Sequence, residues 1–442
     1  MGSLKAGFAR VDITPPLGTR VVGYYRVRLA EGILDPLLAT AVAVNDGENT
    51  AIIMSIDNLG INQVTVDLIR RGIEKKWGIP YEAVFVCCTH THLGPAISTT
   101  REGRDPNYVD SAIEKIIGVA KMAIDDMKDA EMYVNSGNTP ISISYVRRYR
   151  MKDGSCATNP GWRNPEIDHP LGEADPRVGL TYFKREGAPE IAIVNFQTHP
   201  DTISGCKLSA DYPHFVRFTY ERAVPNSLCM YINGAQGDTT PGNVNAEEYM
   251  PRRGYVIAEH VGRTIAGTAI SLHAMAEKVE GCPIAAKQIN IEVPHNKAET
   301  AEELENAKYI KMLYDNKRND EIPIPKGHSD MSRVTAIAGA CRMVTLENEP
   351  EFKTLYVTGI RIGDFALVGF PGEPFTEIGR RVKAASDYKM TFISCAANGY
   401  EAYFPSDTAM DEGGYEAATA RYKKGTAEKL IETGIKILEE VK

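Results

Sequence analysis

The chain has 442 residues, of which 43% are hydrophobic and 24% charged, and this composition excludes a disordered or low-complexity protein. The formal net charge of −8 and the lack of long Lys/Arg runs argue against a nucleic-acid partner. The apolar runs are far shorter than the ~20 residues of a membrane-spanning helix. The segment from Met1 to Ala6 has no apolar signal core, so we expect a cytoplasmic protein without a transmembrane segment.

The first half of the chain alternates between strand-like and helix-like segments. Strands are predicted at residues 8–13, 50–56, 83–88, 190–196 and 228–232, and helices at 63–77 and 108–128. Further strands are predicted at 355–362 and 365–370. This rhythm predicts an α/β fold, a mixed sheet with helices packed around it, and we expect one domain spanning residues 1–442.

Two segments of the second half are predicted to be helical. Residues 298–316 are rich in Glu and Lys, and a polar, proline-containing stretch follows at 319–329. We interpret this region near 298–330 as a charged, solvated helical excursion from the core. An amphipathic pattern from 417 to 440 predicts that the chain ends on one long helix.

Two histidine-containing clusters follow predicted strands. His90 and His92 are separated by one residue, so on an extended segment both side chains point the same way and could approach one ion. Two hydrogen-bonded structural histidines explain the same pattern about as well. His199 ends another strand, and Pro200 stops that strand from continuing. A lone histidine there also fits an ordinary turn.

Two further clusters carry oxygen ligands. Glu373 lies between two prolines after a strand, and this stiff setting favours cation binding, although a carboxylate that caps a helix fits equally well. Tyr403 and Tyr415 lie farther on, and composition alone would treat both as core residues. The eight cysteines include no Cys-x-x-Cys pair, so neither a zinc knuckle nor a redox motif is present.

Taken in order along the chain, these segments resemble the neutral ceramidase family, and in particular its short bacterial members without the C-terminal domain of full ceramidases. The resemblance covers essentially the whole chain. It includes the opening Ala-Gly-Phe-Ala-Arg-Val-Asp-Ile-Thr-Pro-Pro at 6–16, Thr-His-Thr-His-x-Gly-Pro at 89–95, Thr-His at 198–199, Ser-Ala-Asp-Tyr-Pro at 209–213, Gly-Asp-Thr-Thr-Pro at 237–241 and Pro-Gly-Glu at 371–373.

The resemblance implies a metal site and a set of catalytic residues. One Zn²⁺ would be bound by His90, His199, Glu373 and Tyr403. The catalytic residues it implies or suggests are His92, close to the metal, Tyr415 and Arg148 at the scissile acyl group, and Asp238 and Thr240.

Several of these assignments stay open. Arg147 or Arg150 could take the place of Arg148 after a small shift in alignment. Thr240 stands where the family often has serine, which puts its participation in doubt. The sequence leaves open whether a second cation, Mg²⁺ or Ca²⁺, is bound, and it does not give the oligomeric state.

The resemblance predicts a metal-dependent amidohydrolase that cleaves an amide (N-acyl) bond of a small-molecule or lipid-like substrate. Water activated by zinc would attack the acyl carbonyl. Two alternatives remain: an ester, lactone or carbohydrate-linkage hydrolase with the same metal site, and a non-catalytic zinc-stabilised binding protein.

Overall fold

We describe the protein from a computed structural model that covers residues 4–100 and 103–442. Met1, Gly2 and Ser3, on which the prediction of no secretory signal partly rests, lie outside the described residues. Within the described ranges, no helix has the length and apolar character needed to cross a bilayer.

The strands are β1 (Lys5–Asp12), β2 (Arg20–Val21), β3 (Arg28–Leu29), β4 (Gly32–Ile33), β5 (Leu38–Asn45), β6 (Thr50–Ile56), β7 (Val84–Cys88), β8 (Lys128–Asn138), β9 (Tyr145–Val146), β10 (Arg148–Met151), β11 (Cys156–Thr158), β12 (Ile167–Pro170), β13 (Arg177–Arg185), β14 (Glu190–Phe196), β15 (Lys207–Leu208), β16 (Ser227–Asn233), β17 (Thr239–Thr240), β18 (Glu277–Lys278), β19 (Ile284–Pro294), β20 (Phe352–Ile362), β21 (Phe365–Gly369), β22 (Glu373–Pro374), β23 (Met390–Ser394) and β24 (Tyr403–Phe404).

The helices are α1 (Gln63–Trp77), α2 (Pro106–Asp125), α3 (Tyr212–Ala223), α4 (Tyr255–His273), α5 (Ala301–Asp315), α6 (Met331–Leu346), α7 (Thr376–Ala384), α8 (Asp407–Glu412), α9 (Tyr415–Thr419) and α10 (Thr426–Glu440). Short 3₁₀ turns occur at Tyr81–Ala83 and Asn319–Glu321.

Two sheets form the centre of the fold. The larger has the order β16-β14-β13-β8-β1-β5-β6-β7, with β18 paired to β8, and the smaller has the order β19-β20-β21-β23. Each mixes antiparallel pairs with parallel ones, including β6 with β7, β14 with β16 and β21 with β23. The parallel pairs need crossover connections, which α1, α3 and α7 supply. The predicted mixed-sheet α/β fold is confirmed.

The core is arranged in four layers. Apolar side chains of both sheets, including Phe85, Phe183, Leu367 and Phe392, pack together in one buried cluster between them. On the outer face of the larger sheet, α1 and α2 cover one half, while α3 and α4 cover the other. Helices α7 and α10 cover the outer face of the smaller sheet. Strands with both faces covered are apolar on both sides, which explains the continuous hydrophobic runs of the sequence.

Local sequence signals set the helix boundaries that position the site. Helix α1 begins after Asn62, whose side chain accepts a hydrogen bond from the Thr65 amide at 3.2 Å, and it ends at Gly78 with φ 71°. These are the preferred residues at the two ends of a helix. The predicted helix at 63–77 and the strands at 50–56 and 190–196 have the bounds that the sequence indicated.

The second half departs from the sequence prediction in two places. The predicted excursion near 298–330 is helical, but α6 extends it to Leu346 and α5 packs against α6 as a pair. The single helix predicted at 417–440 is divided into α9 and α10, because Ala420 leaves the helical region and Gly425, with φ 91°, starts a new helix.

A buried ion pair ties α3 to the end of β6. Both guanidinium nitrogens of Arg217 donate to Asp57, at 2.9 and 2.7 Å. The same carboxylate accepts from the Leu38 amide and from the Thr89 hydroxyl at 3.2 Å, directly before His90. Asp57 therefore holds the start of the first histidine cluster in place.

We expect Arg217→Met to lower the free energy of unfolding by about 3–5 kcal/mol, because it leaves the Asp57 carboxylate buried without its cation. Urea denaturation measures the change. The exposed Arg222→Met, which loses only a stacking contact with Phe218, is the control and should cost less than about 1 kcal/mol. Equal losses in both variants would contradict a special role for the ion pair.

Candidate metal centre and its cavity

The loops that follow β7, β14 and β21 bring three of the predicted metal ligands together. The Nε2 atoms of His90 and His199 lie 3.2 Å apart. One carboxylate oxygen of Glu373 lies 3.2 Å from Nε2 of His90 and 3.6 Å from Nε2 of His199. All three side chains are buried.

The hydrogen bonds around His90 determine which ring nitrogen faces its neighbours as an acceptor. Nδ1 of His90 lies 2.7 Å from the Leu59 carbonyl oxygen, which can only accept, so Nδ1 carries the proton. In the neutral ring, Nε2 then presents a lone pair to His199 and Glu373, whereas a proton on Nε2 is donated to Glu373. Lone pairs converging at this distance repel one another unless a cation or proton lies among them, and imidazole and carboxylate suit Zn²⁺.

His92 belongs to the same group of side chains. Ligand atoms of His90, His92 and His199 all lie within 4.8 Å of one another, so these three histidines could hold a metal ion. Among the described residues, neither ring nitrogen of His92 has a hydrogen-bond partner. Gly23 packs on this ring with φ 108°, and a Cβ there would come within 2.8 Å of Nδ1 of His92. Burial lowers the pKa of His92 to about 4, so its imidazole is neutral near pH 7.

Glu373 is held ionised within the cluster. Burial alone would raise the pKa of Glu373, but His90, a hydrogen bond from Tyr400 and the charge of Arg147 outweigh it and lower the pKa to about 2. The Tyr400 hydroxyl donates to the other carboxylate oxygen at 2.6 Å. The sequence analysis did not single out Tyr400, although it lies three residues from Tyr403 in the same polar cluster.

Tyr403 lies next to Glu373 through backbone pairing. The strands β22 and β24 are parallel neighbours, with Glu373 opposite Tyr403. The Tyr403 ring lies 6.4 Å from the His199 ring, centroid to centroid, and 5.7 Å from the Tyr415 ring. The four side chains predicted to bind zinc therefore lie in one buried region.

Several residues around this group have a strained backbone. His90 has φ 71°, and Ala396, Asn398 and Ala402 in the loop before Tyr403 also have positive φ. Residues other than glycine adopt this conformation only when the surrounding structure enforces it, and such residues cluster at functional sites.

A cavity of about 410 Å³ opens above the cluster. His92, His199, Tyr403, Tyr415 and Arg147 line its floor and inner wall. Tyr314 of α5 and three apolar residues of α6, Met331, Val334 and Ile337, also line it. The helical excursion is therefore part of the cavity wall, whereas the sequence analysis treated it as solvated.

Of the adjacent Arg147 and Arg148, Arg147 lines the cavity, whereas the resemblance pointed to Arg148. Arg147 donates through Nε to the buried Glu416 at 2.7 Å, and its guanidinium carbon lies 5.3 Å from the centre of the Tyr403 ring. Arg148 points away and donates to the carbonyls of Ala409 and Gly413. Adjacent residues of an extended segment face opposite ways, so a shift of one position exchanges the two sides.

Asp238 and Thr240, both predicted to be catalytic, do not line this cavity. Asp238 accepts from the amide and hydroxyl of Thr376, and its side chain borders a separate cavity beside Arg148. The Thr240 hydroxyl accepts from the Gly242 amide at 3.2 Å. The segment instead supports Arg147, whose backbone amide donates to the Asp238 carbonyl and whose side chain donates to the Gly237 carbonyl.

Comparison with known proteins identifies similar folds but no close relative. No protein-family model matches the sequence, and no curated protein matches it either. The crystal structure of neutral ceramidase from Pseudomonas aeruginosa is similar with a TM-score of 0.76 at 17% sequence identity, over 99% of this chain and 74% of that chain. A structure of a ceramidase complexed with C2 is similar with a TM-score of 0.73 at 15% identity, over 99% and 75% of the two chains. The chain therefore has a ceramidase-like fold, as the sequence resemblance predicted.

We expect Tyr400→Phe to weaken zinc binding about 10- to 100-fold, because Glu373 loses the hydrogen bond that orients it. Competition against a chelating dye measures the affinity. Tyr422→Phe is a matched control, because this buried tyrosine also donates to a glutamate, Glu401, at 2.7 Å. Equal zinc affinity in the wild type and both variants would show that Tyr400 does not support the metal centre.

Proposed function

We propose that this chain is a zinc-dependent hydrolase that cleaves the amide bond of an N-acyl substrate. The observation that carries the proposal is the convergence of His90, His199 and Glu373 on one buried point beside the cavity, which His199 itself lines. Tyr403 beside Glu373 would complete the set of ligands. A ceramidase-like fold supports an amide as the bond that is cleaved.

The residues present fit a single zinc ion. Two imidazoles and a carboxylate are ligands that zinc commonly binds in proteins. The Leu59 carbonyl orients His90 from behind, and the Tyr400 hydroxyl orients Glu373. When bound, zinc supplies a Lewis acid that lowers the pKa of water and polarises a carbonyl.

The remaining residues of the cavity would act on the acyl group and the proton. Tyr415 and Arg147 lie in the wall and would donate hydrogen bonds to the oxygen on which negative charge develops. The imidazole of His92, which has no hydrogen-bond partner among the described residues, would take a proton from water and pass it to the leaving amine. Arg147 takes the role that the sequence resemblance gave to Arg148.

The buried ion pair with Glu416 prepares Arg147 for this role. Glu416 also accepts from Thr158 at 2.7 Å, so both of its oxygens are engaged and the guanidinium is held in one orientation. Donors fixed before the reaction need no reorganisation when the charge forms.

We expect His90→Ala and Glu373→Ala to lose bound zinc and all hydrolytic activity, since each removes a ligand. Metal content after gel filtration, measured by mass spectrometry, and turnover of a panel of N-acyl compounds, esters, lactones and carbohydrate derivatives provide the test. His260→Ala, at an exposed histidine of α4, is the control. If only esters or lactones are turned over, the bond that is cleaved is an ester or lactone and not an amide. Zinc binding with no turnover of any compound would favour a non-catalytic binding protein.

We expect Tyr415→Phe to lower kcat about 10²- to 10³-fold with unchanged zinc content, because one donor to the developing oxyanion is lost. Steady-state kinetics on the best N-acyl compound measures the change. Tyr220→Phe removes another buried hydroxyl, one without a hydrogen-bond partner among the described residues, and should leave kcat within about twofold. An unchanged kcat in Tyr415→Phe would contradict the proposed role of Tyr415 as a donor to the oxyanion.

A further inference from the structure

The wall of the cavity carries more positive than negative charge. Its charged side chains comprise three arginines, Arg26, Arg147 and Arg253, and one carboxylate, Asp201. Arg147 is balanced from behind by the buried Glu416. Arg26 and Arg253 lie at the outer end of the cavity, and we call them the mouth arginines. The net positive charge of the wall therefore depends on which carboxylates pair with these two residues.

Asp201 cannot balance both mouth arginines. One of its oxygens accepts from Arg253 at 3.1 Å, and the other accepts from the Tyr24 hydroxyl. Arg26 extends along the Tyr24 ring, 5.9 Å from its centroid, and has no ion-pair partner within residues 4–100 and 103–442. One guanidinium at the mouth is therefore left without a counter-charge.

A second, buried guanidinium adds to this excess. Arg28 lies on Tyr24, 4.2 Å from the ring centroid, and donates to the carbonyls of Val22, His92 and Gly205. Its partners are dipoles, and no carboxylate pairs with it in the described part of the chain. A guanidinium without a paired carboxylate, next to a cavity whose walls have a low dielectric constant, produces a positive electrostatic potential in that cavity.

The part of the cavity wall that α6 forms is apolar. Met331, Val334 and Ile337 project from α6 into the cavity, and they face a volume of about 410 Å³. A pocket with one apolar wall and a few polar groups elsewhere favours a ligand that has an apolar part and a polar part. The acyl chain of a substrate fits the apolar wall, which directs the amine half of the molecule towards the mouth.

We propose that the substrate is an N-acyl amino acid, whose carboxylate is bound by the mouth arginines Arg26 and Arg253. The proposal rests on the function proposed above, because it places the amide of that substrate over the metal centre. Arginine binds carboxylates through paired, charge-assisted hydrogen bonds, and a neutral hydroxyl-bearing lipid offers no charge to either guanidinium.

Binding can be tested separately from hydrolysis with a ketone that replaces the amide NH by CH₂. We expect full-length wild-type protein to bind 4-oxononanoic acid at least about tenfold more tightly than its neutral amide, measured by isothermal titration calorimetry at low salt. Arg26→Gln should reduce that preference to about threefold or less. Arg253→Gln should reduce it further, because Asp201 loses its cation and repels the carboxylate.

Arg252→Gln is the matched control, since this neighbouring arginine lies over the Trp162 ring and does not line the cavity. It should keep the wild-type preference. Equal binding of the acid and the amide by the wild type, or an unchanged preference in both mouth variants, would overturn the proposal.

Kinetics on N-hexanoylglycine and N-hexanoylglycinamide separates this proposal from the proposed function. A higher kcat/KM for the acid, lost in Arg26→Gln through KM, supports both. If the protein binds the keto acid preferentially but hydrolyses neither compound, the proposed hydrolase function is rejected and the proposed carboxylate site is retained. If the protein hydrolyses the N-hexanoyl bond of both compounds with equal kcat/KM, the hydrolase function is retained and the proposal that the mouth arginines recognise a carboxylate is rejected.

Discussion

The alignment of the two sheets depends on buried side-chain amides that cross from one sheet to the other. Asn195 at the end of β14 donates to the carbonyls of Ile232 and Ile393, which belong to different sheets. Asn398 accepts from the Val86 amide and donates to Thr358. Buried amides are costly unless every group is paired, so these bonds allow few relative positions of the sheets. Because His90, His199 and Glu373 follow strands of both sheets, their convergence depends on this alignment.

The site combines this rigid support with groups that are left without partners. Neither ring nitrogen of His92 has a hydrogen-bond partner in the part of the chain that the structure describes, and the facing nitrogens of His90 and His199 need a cation or proton to be stable together. His90 itself has a positive φ. Each feature lowers the stability of the fold, so none of them is expected in a core with a purely structural role. Together they are typical of a functional site, and the histidines among them could hold a metal ion.

The structure brings together those predicted site residues whose motifs are compact, and it separates others whose position depends on side-chain direction. His90, His199, Glu373 and Tyr403 follow strands whose ends were visible in the hydrophobic pattern, and the structure brings all four together. Arg147 and Arg148 are adjacent and chemically identical, so the sequence could not tell which one enters the cavity. Asp238 and Thr240 look catalytic by type, yet their polar atoms are used in local hydrogen bonds.

The sequence by itself determined the mixed α/β class, the positions of several central strands and of helices α1, α2 and α5, and the residue types able to bind a metal. These follow from local periodicity and from short motifs, which are properties of neighbouring residues. Only the tertiary structure decided that Tyr400 supports Glu373, that α6 forms a wall of the cavity, and that Arg26 has no ion-pair partner among the described residues. Those facts depend on contacts between segments that are not neighbours in the sequence, 27 residues apart for Tyr400 and Glu373 and hundreds apart for α6 and much of the cavity wall. Packing and side-chain direction decide which of these groups meet.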